Sequence, residues 1–117
     1  MRSLSLTAIE QYRKNAKNNP MLDTKILRIK MNALISASSK VYPCIYGTIY
    51  QFGSCKIKVN VDDIITSITW TKEDIKPTSI ELRRLHSYCL RSGLDKNGNR
   101  YATEEEIEKF EKYGIIE

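Results

Sequence analysis

Ile57, Val59 and Val61 alternate with Lys56, Lys58 and Asn60. Successive side chains of a strand point to opposite faces, so this run requires a sheet with one buried and one wet face. The preceding segment is rich in β-branched and aromatic residues: Val41, Tyr42, Ile45, Tyr46, Ile49, Tyr50 and Phe52. It reads as one strand, closed by a turn at Gly53-Ser54. Asp62-Asp63 marks a second turn, and Ile64 to Trp70 a third strand. Residues 41–70 therefore read as a three-stranded antiparallel meander.

Helical patterns flank it on both sides. Thr7-Ala8-Ile9-Glu10 has the form of a capping box and opens a helix over about 8–17, which Asn18-Asn19-Pro20 ends. Asp23 caps a second helix running to about residue 37, with Leu27, Met31, Leu34 and Ile35 on one stripe. Leu27, Ile29 and Met31 also alternate as in a strand, but Ala33 and Ala37 extend the helical period. Thr78-Ser79-Ile80-Glu81 is a second capping box, for a helix over about 79–92 with Leu82, Leu85 and Cys89 on one face and Gly93 as its stop. Thr103 and Glu106 form a third box, for a helix over about 104–113 that buries Ile107 and Phe110. The expected fold is α+β: two N-terminal helices, a three-stranded antiparallel sheet and two C-terminal helices. A chain of 117 residues fits a single domain.

Charge is unevenly spread. Residues 1–40 carry eight Lys or Arg against two acids, residues 41–70 two against two, and residues 71–117 nine against ten. The basic first third points to a face that meets something anionic. Arg13, Lys14 and Lys17 fall on the first predicted helix, and Lys25, Arg28 and Lys30 on the second. Lys56 and Lys58 belong to the wet face of their strand. If these faces join, they form a footprint for phosphates. Tyr42, Tyr46 and Tyr50 share a parity along one predicted strand and are candidates to stack unpaired bases, Tyr46 and Tyr50 foremost. The alternative for the tyrosines is core packing or cross-strand pairing, and for the basic residues a solvated helix face.

Two metal readings arise. Residues 95–106, Asp95 to Glu106, resemble a single EF-hand loop. That resemblance assigns calcium ligands to Asp95, Asn97, Asn99, Thr103 and Glu106, with the Tyr101 carbonyl. Position 6 of such a loop is Gly, and here it is Arg100. The loop is equally a turn and a capped helix start. The three cysteines and the only histidine, Cys44, Cys55, His86 and Cys89, offer a zinc set, although the close cysteine pairs of structural zinc sites are absent.

Three cysteines leave one unpaired, no segment reaches a membrane-spanning length, and residues 1–20 lack the apolar run of a signal peptide. The expectation is a cytoplasmic protein with reduced thiols. The 15 Ile, 12 Lys, 7 Asn and 7 Tyr fit an AT-rich genome, such as that of a phage or mobile element in a low-GC bacterium. No complete catalytic motif is present. The leading expectation is a small basic non-enzymatic protein that binds DNA or RNA through phosphate contacts. The alternatives are an inhibitor or adaptor docking on an acidic protein surface, and a sensor or enzyme for a ligand or metal. An exposed strand edge would also allow two copies to pair.

Overall fold

The computed structural model describes residues 2–17 and 20–92. Along the chain come β1 (Ser3–Leu4), α1 (Leu6–Asn15), α2 (Thr24–Ala37), β2 (Lys40–Cys44), β3 (Gly47–Phe52), β4 (Cys55–Asn60), β5 (Ile64–Trp70) and α3 (Ser79–Ser92). The strands make one sheet in the order β1-β5-β4-β3-β2. β2 to β5 form an antiparallel meander, and β1 joins β5 in parallel. The fold is α+β, but with three helices and a five-stranded mixed sheet among the described residues. This corrects the expected three strands and four helices; the predicted helix at 104–113 lies outside the described residues.

Two features account for the additional strands. The run 41–52 is two strands, because the chain reverses at Ile45-Tyr46 and pairs Cys44 with Gly47. Neither central position of that turn is Gly, Asn or Asp, so the run reads as continuous. The backbone signal appears instead at Tyr46, whose φ is +64°. Gly47 follows because the strands come close there: a Cβ would lie 2.0 Å from the Val59 carbonyl oxygen.

β1 is too short to show a pattern, and a helix holds it in place. Asn32 of α2 is buried, and its Oδ1 accepts from the Arg2 N–H at 2.9 Å. Its Nδ2 donates to the carbonyls of Arg2 and Arg28 at 3.0 and 2.8 Å. Arg2 in turn donates to Asp63 at 2.9 Å and lies over the Tyr50 ring. The Ser5 N–H then donates to the Ile65 carbonyl, which keeps the chain extended up to that residue. Ser5, not Thr7, is therefore the cap of α1, and its Oγ accepts from the Ala8 N–H.

α2 follows its predicted stripe. Leu27, Met31, Leu34 and Ile35 are buried, as are Ala33 and Ala37, and residues 25–31 are helix rather than strand. α1 lies against β5, α2 against β3, and α3 against α2. The core gathers Ala8, Tyr12, Leu27, Met31, Phe52, Ile57, Ile65 and Ile68. Each large apolar side chain buried there contributes about 1.5–3 kcal/mol. In α3 the predicted face is rotated: Leu85 is buried, Leu82 is exposed, and Glu81 and His86 turn inward.

Candidate polyanion-binding face

Strand register sorts the sheet residues into two faces. The helices cover the face that carries Cys55, Ile57, Val59, Ile65 and Ile68. The other face is built from three cross-strand rows. Lys40, Gln51, Lys56 and Thr69 make the first row, and Tyr42, Ile49, Lys58 and Ser67 the second. Cys44, Gly47 and Asn60 make the third. No described helix packs on these rows. A strand spaces same-face neighbours by roughly 7 Å, so Lys56 and Lys58 stand about that far apart.

The face holds three lysines and no acid. Lys56 Nζ lies 6.0 Å from the centre of the Tyr42 ring. The Tyr42 hydroxyl donates to Gln51 Oε1 at 3.1 Å, and Gln51 Nε2 donates to the Gly53 carbonyl at 3.0 Å. This chain of contacts fixes an aromatic ring and an ammonium group side by side. Among the described residues, Lys40, Lys56 and Lys58 form no ion pair. Three ammonium groups with two hydroxyls and one ring can hold a polyanion, while the buried Gln51 amide serves to position the ring. The thiol of this face, Cys44, has only Gly47 and Asn60 in its row.

The fold divides the other predicted binding residues. Arg13, Lys14 and Lys25 are exposed, but on helices that lie on the opposite side of the sheet from Lys56 and Lys58, and exposed Lys17 falls just past the end of α1, which stops at Asn15 rather than about residue 17. The two basic surfaces do not join. Arg28 and Lys30 are used by the fold. Arg28 Nε donates to the Arg2 carbonyl at 2.9 Å, and Lys30 lies 5.7 Å from the Tyr12 ring centre. The tyrosines also separate. The tight turn at Ile45-Tyr46 pairs Tyr42 with Ile49 and Tyr50 with Val41, which puts Tyr42 and Tyr50 on opposite faces. Tyr50 faces the helices beneath Arg2, whereas Tyr46 sits in the turn and is 79% exposed.

Sequence reasoning missed Lys40 as a member of this face and grouped Tyr42 with Tyr50 instead of with Lys58. Their signal is the register, which needs the hairpin turn to be recognised first.

The zinc set is not assembled. Cys44 and Cys55 lie on opposite faces and at opposite ends of the sheet, and His86 is buried on α3. Among the described residues, no group of three or more His, Cys, Asp or Glu is arranged to hold a metal ion. Burial pushes the Cys55 thiol up to about 12, with nearby Lys30 pulling weakly the other way. Burial likewise raises the Tyr12 phenol, and Cys55 adds to that shift. The Cys89 side chain and the EF-like loop, with Asp95, Asn97, Asn99, Tyr101, Thr103 and Glu106, lie outside the described residues. No described helix is long and apolar enough to cross a membrane. Comparison of this chain with protein-family models, with curated proteins and with solved structures finds no match.

Proposed function

We propose that this chain is a non-enzymatic nucleic-acid-binding protein that holds phosphates on the exposed face of its sheet. The observation that carries the reading is the set of Lys40, Lys56 and Lys58 on one sheet face that no described helix covers and whose rows contain no acid. Tyr42 beside Lys56 adds a ring against which a base can stack. Phosphate contacts release counterions, so affinity falls linearly in log salt, by about 0.7 per contact on a single strand.

The test is a titration with mixed-sequence single-stranded DNA and RNA at several salt concentrations. Replacing Lys40, Lys56 and Lys58 together by Glu should lower affinity at least tenfold and flatten the salt slope by about 2. The same replacement at Arg13, Lys14 and Lys17 should have a smaller effect. Parent-like binding by the sheet variant would overturn the assignment of this face. No binding by the parent at low salt would overturn the nucleic-acid reading and leave an acidic protein surface as the partner to seek.

A further inference from the structure

The third row of the lysine face runs into an apolar tip. Ile45 and Tyr46 form the β2–β3 turn, and Val61 begins the β4–β5 turn beside it. The Val61 N–H donates to the Tyr46 carbonyl at 3.0 Å, which locks the two turns together. The three side chains are 74%, 79% and 76% exposed. Tyr46 also holds a φ of +64°, a region that a bulky side chain strongly disfavours and that Gly or Asn occupies without strain. A tyrosine here works against the hairpin and gains no burial in exchange. Strain of this kind, where the fold does not require the residue, points to a use for the side chain.

The chemistry of the surroundings selects the occupant. The lysine rows lead up to the tip, and Asp62 and Asp63 follow Val61 in the β4–β5 turn, with Asp63 held by Arg2. Asp62 repels phosphate and Asp63 is occupied by Arg2, so the charged part of a ligand belongs on the lysines. The uncharged part is left to the tip. We infer that Tyr46 stacks an unpaired nucleobase of a strand whose phosphates lie on Lys56 and Lys58, so that the ligand is single-stranded. The base slides over the phenol ring while Ile45 and Val61 shield its edge from water. Stacking of this kind tolerates any base, because every base has a π-face. This inference rests on the phosphate-binding reading of the sheet and narrows its ligand.

The experiment uses the full chain, a fluorescein-labelled mixed-sequence single-stranded DNA, and the same strand annealed into duplex. Tyr46→Gly removes the ring and the strain together, so this variant should melt no lower than the parent. Its affinity for the single strand should drop at least fivefold while its duplex binding stays unchanged. Tyr46→Phe keeps the ring and should bind the single strand within about twofold of the parent. If Tyr46→Gly binds the single strand like the parent while the Lys40, Lys56 and Lys58 variant does not, stacking at the tip is overturned and the phosphate reading stands. If the parent binds duplex at least as tightly as the single strand, the single-strand assignment is overturned. If the parent binds neither, both readings fail. Loss of self-association in Tyr46→Gly, with nucleic-acid binding intact, would assign the tip to a second copy of the chain and overturn the inference.

Discussion

The two described cysteines illustrate how strand parity sets chemistry. Cys55 points into the core and Cys44 to the open face, though both sit at strand ends. Burial keeps the Cys55 thiol protonated up to about pH 12, so its nucleophilic form is absent near neutrality. Iodoacetamide at pH 8 followed by peptide mapping should label Cys44 and spare Cys55 in the native protein, with both labelled in denaturant. Equal native labelling would show that β4 has the opposite parity. The raised thiol also sets a direction for stability. The folded state keeps a proton that the unfolded chain releases above about pH 9. Stability is therefore complete below about pH 9 and falls as the pH rises toward about 12, by on the order of 1 kcal/mol per pH unit. The raised Tyr12 phenol works in the same direction above about pH 10. Tyr46 is the opposite kind of residue: exposed, strained by roughly 1 kcal/mol, and unused by the core.

At the scale of elements, α3 starts where its capping box says it should. The Glu81 N–H donates to Thr78 Oγ1 at 3.2 Å, and the Thr78 N–H donates to Glu81 Oε1 at 3.0 Å. Glu81 also accepts from the Ser39 N–H at 3.3 Å, which ties the start of α3 to the α2–β2 junction. Burial disfavours the charge on Glu81, but the hydrogen bonds from Thr78 and Ser39 outweigh it and hold the carboxyl below its ordinary value. That stabilisation is complete above about pH 4.5 and fades as the pH falls through the lower folded value. Glu81→Ala should lose about 1–2 kcal/mol at pH 7, with a smaller difference from the parent at pH 3. Thermal melts at the two pH values read this directly. A pH-independent difference would show that Glu81 acts by packing alone.

The same scale shows what was legible. α2, α3 and the strands β4 and β5 carry their signals within themselves: a 3.6-residue stripe, a reciprocal cap, strict alternation in β4 between Gly53-Ser54 and Asp62-Asp63, and a β-branched run in β5. The turn at Ile45-Tyr46 carries no such mark, because an ordinary residue is held in a left-handed conformation by Val61 across the sheet. Missing it reversed the parity of half a predicted strand and misplaced Tyr50. β1 exists because Asn32, thirty residues away in sequence, binds its backbone. The start of α1 moved for a similar reason, since the β1–β5 pairing keeps Ser5 extended. Lys56 and Lys58 were legible as a wet-face pair, whereas Lys40, and the company Tyr42 keeps, needed the register.

For the whole molecule, the consequence is a division of charge. Helices on one side of the sheet carry Arg13, Lys14 and Lys25, with Lys17 just past α1, and the side that no described helix covers carries Lys40, Lys56 and Lys58. Net charge alone favours the helices, because the first 40 residues hold the excess. Surface chemistry favours the sheet. Its lysines are spaced by the strand lattice, one is paired with an aromatic ring, and the face continues into an exposed aromatic tip. Gln11 adds a further whole-molecule feature. Its side chain accepts from the Ile68 N–H at 2.9 Å and closes β5 beyond the end of β1. A strand edge blocked in this way is less open to pairing with another chain.

The measurement that separates the two basic surfaces is a residue-resolved NMR titration of backbone amides with a mixed-sequence single-stranded DNA. The sheet reading predicts shifts concentrated at Lys40, Tyr42, Lys56, Lys58 and Ser67, continuing through Tyr46. Shifts confined to Arg13, Lys14 and Lys17, with the sheet rows unmoved, would contradict it.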